Sequence, residues 1–172
     1  MKKIPLRDGV FTLVDDEDYE ALNNYSWCLF SGSGKKEYAC RYIKNESGKQ
    51  IRIWMHRQIL PHDLRHTDHI DGDGLNNQKF NLRPATFSQN MANSRLQKNN
   101  TSGFKGVFWN KRIERWTAVM RFIGLGKLLY IGSFKDIKDA ARAYDEAAIK
   151  AWGEFAMTNF PVSKPPTKET TE

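Results

Sequence analysis

A short central segment of the chain contains residue types that together could hydrolyse a phosphodiester. Residues 67–83 read TDHIDGDGLNNQKFNLR and include the adjacent pair Asp68 and His69, with Asn90 a few residues further on. Carboxylate and amide oxygens suit a hard cation such as Mg²⁺, which keeps several waters and takes its remaining ligands from a substrate phosphate. A neutral histidine can remove a proton from water near pH 7. We therefore expect His69 to activate a water while a metal ion offsets charge on the phosphate and the departing oxygen.

The side chains of Asp68 and His69 can work together only if the chain turns after them. In a continuing strand, adjacent side chains point to opposite faces. The DGDG sequence that follows supplies a turn, and its acids and asparagines hold such a loop through bonds from side chain to backbone. The TFSQ sequence after it is a capping box, in which Thr86 and Gln89 satisfy the first free amides of a helix. We expect a strand, a loop and a helix that bring Asp68, His69 and Asn90 together.

Two metal-binding interpretations compete with this one. DGDGLN resembles the start of a calcium-binding loop, although Leu75 and Leu82 stand where that loop needs an oxygen ligand and a glutamate. His62, His66 and His69 are spaced four and three apart and would form a zinc face on a helix. A proline before them and the lack of a fourth ligand weigh against zinc, and His62 and His66 fit solvent-facing positions better.

A purely structural interpretation of the asparagines also stays open. Asparagine and aspartate favour turns for backbone reasons alone. This explanation fits Asn76 and Asn77 better than Asn81 or Asn90. Arg83 is equally consistent with a bond to a phosphate oxygen and with a place on the free surface, and the sequence assigns no role to His56.

The segment resembles the HNH nuclease motif in its His-Asn-Asn form, as found in phage and intron-encoded homing endonucleases. The resemblance rests on Asp68-His69, Asn81 and Asn90, with the phrases MHR and LNN..FNLRPAT beside them. It implies that His69 is the general base and that Asn81 is a catalytic-site residue that shapes the loop. It also implies that Asp68 and Asn90 bind one divalent metal, Mg²⁺ or Mn²⁺, in a ββα-metal nuclease unit.

The chain divides into regions of different pattern, and the predicted fold class is α+β. Short β-branched and aromatic runs, GVFTLV, KEYACRYIK and QIRIWMH, make residues 1–58 strand-rich, with a short helix in DDEDYEALNNY. We place the HNH catalytic unit at 59–97 and a polar linker at 98–103. Residues 104–161 form a second unit, and residues 162–172 have little apolar content to bury and are predicted to be a disordered tail.

The second unit combines three strand-like runs with an amphipathic helix, and its charge is divided between them. The runs are FKGVFWN, RWTAVMRF and KLLYIGSF, and the apolar stripe of residues 136–152 is capped by Asp136 and ended by Gly153. Residues 105–135 hold seven basic side chains and one acidic, whereas residues 136–155 hold three basic and five acidic. A basic sheet with one free face can lie in a DNA groove, although simple solvation of that face is the alternative.

The second unit resembles the AP2/ERF DNA-binding domain over residues 101–161. The phrases that carry the resemblance are FKGVFWN, RWTAVMRF, YIGSF, AARAYDEAAIKAWG and NFP. It implies three antiparallel strands in the major groove with a helix behind them. By position, four residues match DNA-facing places and four more are their neighbours: Lys105, Arg115, Arg121 and Tyr130, then Trp109, Arg112, Trp116 and Lys127.

Not every position of the second unit follows that family. Phe108, Asn110 and Leu128 stand near places where the plant domains carry base-reading arginines, so the resemblance carries over no sequence preference. Trp116 could instead belong to the core, because aromatic residues in strands usually pack, and we expect Tyr144 to pack between helix and sheet.

Composition narrows the classes of protein further. The chain has 172 residues, a net charge of +7 and two cysteines, Cys28 and Cys40, without a CxxC pair. A basic chain suits a polyanionic partner, and the cysteines support neither a disulfide framework nor a cysteine-based zinc site. The sequence has no long apolar run, so we expect neither export nor a membrane span, and a location in the cytoplasm of a bacterial or phage-infected cell.

Taken together, these features predict a metal-dependent, site-directed endonuclease that acts on double-stranded DNA and uses no small-molecule substrate. The AP2-like module would raise the concentration of the nuclease at its site. The main alternative is a DNA-binding regulator with an inactive HNH fold, and a second is an RNA-directed nuclease or structural RNA binder. The recognition sequence, the number of strands cut and the oligomeric state are left open.

Overall fold

The computed structural model confirms the α+β class. It divides the chain into two compact units, Met1–Asn93 and Ser94–Glu172, which we call the first and the second unit. The predicted disordered tail lies outside the described residues, which are 1–7, 9–32, 36–64, 66–97, 99–122 and 126–161. No helix among these residues is both long and apolar enough to cross a membrane.

The first unit begins with small antiparallel sheets and short helices. Its elements up to residue 59 are β1 (Lys2–Pro5), β2 (Phe11–Val14), α1 (Asp16–Asn23), β3 (Cys28–Ser31), β4 (Glu37–Lys44), β5 (Gln50–Trp54) and α2 (Met55–Ile59). Strands β1 and β2 form one hairpin, and β3, β4 and β5 form a three-stranded sheet in that order. The core between them consists of Ile4, Leu6, Val14, Leu22, Trp27, Ala39 and Met55.

Several of these elements follow the predicted pattern and one departs from it. The acid-rich start of DDEDYEALNNY does begin a helix, with three acids in its first turn, where the helix dipole favours negative charge. The predicted strand QIRIWMH, however, ends at Trp54, and Met55 and His56 belong to α2. Both side chains are buried, so packing of a short helix decides their backbone.

The first unit ends with two strands and a helix. Strand β6 (His66–His69) pairs antiparallel with β7 (Leu82–Ala85), and α3 (Phe87–Ala92) follows. The predicted capping box is present, since the Thr86 side chain accepts from the Gln89 N–H while the Gln89 side chain accepts from the Thr86 N–H. The zinc-face interpretation is wrong in its premise, because residues 66–69 form a strand and not a helix.

The second unit is a three-stranded antiparallel sheet with one long helix packed on it. The strands β8 (Val107–Asn110), β9 (Arg115–Phe122) and β10 (Lys127–Phe134) lie in the order β10-β9-β8, and the helix is α4 (Ile137–Trp152). The Asp136 carboxylate caps α4 by accepting from the N–H groups of Lys138 and Asp139, and Gly153 follows its last residue. The core contains Val107, Ala118, Met120, Ala140, Ala141, Tyr144 and Ala148.

The segment after α4 is bound back to the start of the second unit. The buried carboxylate of Asp145 accepts from the N–H of Asn159 at 2.8 Å and from the N–H of Phe160 at 2.9 Å. The side chain of Asn159 then bonds both backbone groups of Lys105, accepting at 2.6 Å and donating at 3.1 Å. One buried acid on the helix therefore positions the NFP segment against Lys105, just before the first strand of the sheet.

Candidate active site

The loop between β6 and β7 is closed by Asn81, which is 2% exposed. The amide nitrogen of Asn81 donates to Asp71 Oδ1 at 2.9 Å and to the carbonyl of Asn76 at 2.8 Å. Its amide oxygen accepts from the backbone N–H of Asp71 at 3.0 Å. One buried side chain therefore ties both ends of the loop together, which supports the loop-organising role that we predict for it.

Asp71 is a second organiser of this loop, and no motif in the sequence distinguishes it from the other acids there. Its carboxylate accepts from the N–H of Asp73 at 2.8 Å and from the side-chain amides of Asn76 at 2.7 Å and Asn81 at 2.9 Å. Burial acts to raise the pKa of Asp71, but these hydrogen bonds to its ionised form outweigh burial and leave the pKa below its ordinary value. The charge of Asp71 therefore stabilises the loop.

The loop lies against β4 at Gly74. A Cβ atom at this position would overlap the carbonyl oxygen of Glu37 and the ring of Tyr38. Because only glycine lacks that atom, the approach of loop to strand requires glycine here. The Tyr38 ring in turn lies 5.9 Å from the ring of His69, measured between centroids.

His69 is buried at the end of β6 and is held by its Nε2 atom. This nitrogen lies 3.2 Å from Asn77 Oδ1, and the ring is 6% exposed. Burial lowers the pKa of His69, although the hydrogen bond to Asn77 and the nearby carboxylates of Asp71, Asp68 and Asp73 oppose that change. The imidazole is therefore neutral near pH 7, which is the form that can accept a proton.

A second buried histidine packs beside it. The ring of His56 meets that of His69 edge-on at 5.1 Å and stacks on Trp54 at 5.9 Å. Burial lowers the pKa of His56 to about 3, with smaller contributions from His69, Arg57 and His62. His56 thus stays neutral and gives His69 an aromatic wall rather than a competing charge.

Asp68 is nearly inaccessible and is paired with two side chains. Its Oδ2 atom lies 2.9 Å from Arg83 Nε and 2.8 Å from Arg83 Nη2. The amide nitrogen of Asn93 donates to both carboxylate oxygens, at 3.0 and 3.2 Å, and to the carbonyl of His69 at 2.8 Å. Arg83 is thus an intramolecular partner of Asp68, and Asn93, which the sequence analysis missed, anchors the end of α3 to β6.

Asn90 lies on α3 at the edge of a cleft in the first unit. The cleft has a volume of about 270 Å³ and is lined by Tyr38, Trp54, His56, Arg57, His66, Thr67 and Asn90. The lining combines aromatic side chains with basic and polar ones, and this combination can bind a segment of a nucleic-acid strand. His62, whose Nε2 lies 2.9 Å from Thr67 Oγ1, supports the strand behind the cleft.

The structure gathers three of the four predicted site residues around one loop and sets the fourth in the cleft. Asp68 and His69 lie in β6 directly before the loop and Asn81 closes its far end, whereas the hydrogen-bond partner of Asp68 on the α3 side is Asn93 and not Asn90. The described residues contain no group of three or more His, Cys, Asp or Glu side chains able to hold a metal ion. A cation bound by Asp68 and Asn90 stays a prediction.

The free face of the second unit carries three of the eight predicted DNA-binding residues. Register and alternation put Arg115, Arg121 and Tyr130 on the face of the sheet opposite Ala118 and Met120, which pack on α4. Arg121 and Tyr130 are exposed, and the Tyr130 hydroxyl donates to Ser133 Oγ at 2.9 Å. This face also carries exposed Phe108 and Leu128, at 43% and 58%.

The other five predicted DNA-binding residues lie elsewhere in the second unit. Trp109 and Trp116 are opposite each other in the sheet with rings 5.1 Å apart, and Trp116 packs against the helix core, as its alternative interpretation anticipated. Lys127 pairs with Phe122 in register, and Arg112 lies in the turn between β8 and β9. The Lys105 ammonium donates to the carbonyl of Ser94 at 2.8 Å.

Comparisons with known proteins agree with this two-part arrangement. The AP2 domain family matches residues 102–154. An HNH endonuclease of Acanthamoeba polyphaga mimivirus, itself uncharacterised, is 31% identical over 156 residues, covering 88% of this chain and 75% of that protein. Protein 3.8 of Escherichia phage T7 is 49% identical over 49 residues, which are 28% of this chain and 40% of the phage protein.

A plant protein matches the second half. The AP2-like ethylene-responsive transcription factor AIL7 of Arabidopsis thaliana is 44% identical over 71 residues, which are 37% of this chain and 14% of that factor. With the long match to the viral protein, these findings define the class of protein. The chain belongs to the HNH endonuclease family and carries an AP2 domain.

Proposed function

We propose that this protein is a metal-dependent DNA endonuclease of the HNH homing type, which hydrolyses phosphodiester bonds with His69 as general base. The observation that carries the proposal is the state of His69, which is buried, neutral near pH 7 and held at Nε2. A neutral imidazole fixed at one nitrogen has its other nitrogen available for a proton from water. The name of the viral relative supports the same activity.

The remaining residues of the loop hold this base in place. Asn81 and Asp71 fix the loop that follows His69, and Asn93 fixes the backbone at His69 by bonding its carbonyl. General-base catalysis depends on a position within hydrogen-bond reach of the water, so a rigid loop serves the reaction directly. The cleft beside Asn90 and His56 is the place we propose for the DNA strand that is cut.

One divalent cation, Mg²⁺ or Mn²⁺, is the proposed cofactor, held by Asp68 and Asn90. The donor chemistry fits, because a carboxylate and an amide oxygen leave a hard cation room for waters and a phosphate. Asp68 Oδ1 accepts one hydrogen bond, from Asn93, and therefore keeps acceptor capacity. When bound, the cation would offset negative charge on the phosphate and the leaving oxygen.

The second unit is the proposed DNA-binding module, and double-stranded DNA is the proposed partner. Its free face presents Arg115, Arg121 and Tyr130 on strands that can enter a major groove, while α4 supports the other face. Arg112, in the turn between β8 and β9, is proposed to contact the DNA backbone. The other predicted residues are proposed to support the strands that carry this face: Lys105, Trp109, Trp116 and Lys127. The proposed location is the cytoplasm of a bacterial or phage-infected cell, and the similarity to a protein of an Escherichia phage supports it.

A cleavage assay tests the proposal. Purified protein incubated with supercoiled plasmid should convert it to nicked or linear DNA with Mg²⁺ and should leave it intact with EDTA. Sequencing the ends on both strands would identify the site and whether one or two strands are cut. Intact plasmid in Mg²⁺ and in Mn²⁺, by protein that still binds DNA, would exclude the nuclease.

The alternative function is that of a DNA-binding regulator with an inactive nuclease fold. The observation that favours it is the pairing of Asp68, which is 2% exposed and bonded to the positively charged Arg83. A neighbouring cation makes binding of a metal ion less favourable. Titration of Mn²⁺ into wild-type protein and into Asp68→Asn distinguishes the two: an endonuclease site loses Mn²⁺ binding in the variant, whereas a regulator shows none in either protein.

A further inference from the structure

The side chain of Asn77, which is hydrogen-bonded to His69, belongs to a hydrogen-bond network that also includes Thr12 of the β1–β2 hairpin. Asn77 and Thr12 are both completely buried, at 0% exposure. The Asn77 amide nitrogen lies 2.8 Å from Thr12 Oγ1, and Thr12 Oγ1 lies 2.7 Å from the carbonyl oxygen of Leu75. Strand β2 thus contributes a side chain to the support of the loop, although 65 residues separate Thr12 from Asn77.

The direction of each bond in this chain follows from the chemistry of its members. A carbonyl oxygen only accepts, so the Thr12 hydroxyl donates to Leu75. The hydroxyl oxygen then accepts from the Asn77 amide nitrogen, which also lies 3.4 Å from the carbonyl of Gly74. Flipping the Asn77 amide would set its oxygen against the Gly74 carbonyl, two acceptors without a proton between them. Asn77 therefore presents its oxygen to His69.

This orientation decides the tautomer of the catalytic histidine. Because Asn77 Oδ1 can only accept, the neutral imidazole must carry its proton on Nε2. The Nδ1 lone pair is then left for a water. We propose that Asn77, oriented by Thr12, is a positioning residue that holds His69 in the Nε2–H tautomer with Nδ1 as the basic atom. This inference rests on the proposed function, since it assigns the proton-accepting nitrogen of the same base.

Backbone hydrogen bonds around these residues make the hydrogen-bond network rigid. The N–H of Leu13 donates to the carbonyl of Leu75 at 2.8 Å, and the N–H of Asn77 donates to the carbonyl of Leu13 at 2.8 Å. Both bonds are made by Leu13, the residue next to Thr12, and they hold β2 against the loop beside the Thr12 contact. A buried donor or acceptor without a partner is costly, so the network has little freedom to rearrange.

Nitrogen NMR of the full chain tests the inference directly. The chain has four histidines, so the ring nitrogens can be assigned by single substitutions. In histidine-labelled wild-type protein at a pH where the ring is neutral, His69 should show a protonated Nε2 and an unprotonated Nδ1. In Asn77→Leu both tautomers should appear, and cleavage should slow at least about 10-fold in kcat with DNA affinity unchanged.

Two substitutions of Thr12 provide a matched pair in case Asn77→Leu does not fold. Thr12→Val keeps the shape and removes the hydroxyl, so the Asn77 amide loses its orientation and the minor tautomer should appear. Thr12→Ser keeps the hydroxyl and should retain the wild-type spectrum and rate. A purely structural role would lower the melting temperature in Thr12→Val without changing the tautomer.

The outcomes separate this inference from the proposed function. A wild-type His69 with its proton on Nδ1, or unchanged tautomer and rate in both Asn77→Leu and Thr12→Val, overturns it. If the wild-type protein cuts no DNA, the proposed function fails, yet the NMR spectra still decide whether Asn77 and Thr12 set the tautomer.

Discussion

Each unit of this protein has an apolar core, but the two units differ in the number of polar side chains that they bury. Ten polar side chains are buried among the described residues, and only Thr117 and Asp145 of these lie in the second unit. The others belong to the first unit and surround the candidate site: Thr12, His56, Thr67, Asp68, His69, Asn77, Asn81 and Asn93. The core of the second unit includes the small apolar residues Ala140, Ala141 and Ala148 of α4, packed against the sheet.

This difference reflects what each unit is proposed to do. A general base must be held at one position and in one protonation state, and directed hydrogen bonds provide that geometry. A DNA-reading sheet needs a stable shape and a free face, and the non-directional packing of α4 provides both. The first unit is therefore the one in which single polar substitutions should have the largest functional effects.

The largest effect should follow removal of the base. His69→Ala should lower the rate of DNA cleavage by about 10²- to 10⁴-fold, the usual contribution of general acid–base catalysis. DNA affinity should change little, because the proposed DNA-binding face lies in the second unit. Cleavage rates and gel-shift affinities measured on the same preparation test the expected loss of rate and the expected unchanged affinity. Full cleavage by the variant would show that His69 is not the general base.

A pair of core substitutions compares the two kinds of stabilisation. Asn81→Ala leaves the buried groups of the loop without partners, at about 1–3 kcal/mol per unpaired group, and should lower cleavage as well. Met120→Ala, at a side chain 2% exposed, should cost the second unit about 2–5 kcal/mol. Hydrogen exchange resolved by unit measures each effect separately.

Asn45→Ala is the matched control for Asn81→Ala, because Asn45 bonds the N–H of Lys49 in an exposed turn. It should change hydrogen exchange only near that turn. Equal losses of hydrogen-exchange protection in Asn45→Ala and Asn81→Ala would contradict the claim that the buried hydrogen bonds of Asn81 stabilise the loop between β6 and β7.

The first unit should lose stability in acid. The pKa of His56 is lowered to about 3 by burial, from an ordinary value near 6.5. Because the unfolded chain takes up this proton first, the free energy of unfolding of the first unit should fall as pH drops below about 6.5, by at most about 1.4 kcal/mol per pH unit. His56→Phe should reduce this acid sensitivity in urea unfolding followed by tryptophan fluorescence.

The second unit should lose stability in alkali. Burial, with a smaller contribution from the charge of Asp145, raises the pKa of Tyr144 to about 12. The unfolded chain then ionises first, so stability is complete below about pH 10 and falls as pH rises toward the folded pKa. Tyr144→Phe should flatten that dependence. An equal alkaline loss in the variant would mean that another group is responsible.

The smallest effect should come from the free face of the second unit. Arg121→Ala should weaken DNA binding by about 1 kcal/mol and reduce the salt dependence of binding by about one phosphate contact. Lys150→Ala, an exposed residue of α4 on the acidic side of the unit, is the matched control and should bind as wild type. Unchanged affinity of Arg121→Ala across a salt series would count against the proposed face.

Local sequence patterns predicted the structure correctly where residues close together in the chain determine it. The capping box of Thr86 and Gln89, the Asp136 cap of α4 and the three strands of the second unit are all confirmed. Strands β1 and β3 were not predicted, and QIRIWMH was taken as strand to its end. Whether a short strand forms in a small sheet depends on its partner strand and on burial, and neither can be predicted from the residues of that strand alone.

The resemblance of Asp68, His69, Asn81 and Asn90 to the HNH motif comes from the sequence, and the roles of these residues stay predictions. The sequence alone determined that an amphipathic helix follows three strands, because the apolar period is a local property. Only the tertiary structure decided that Asn93 and Arg83 pair with Asp68 and that Thr12 and Asn77 support His69. These bonds join residues distant in the chain, and burial makes them obligatory, since a buried polar group without a partner destabilises the fold.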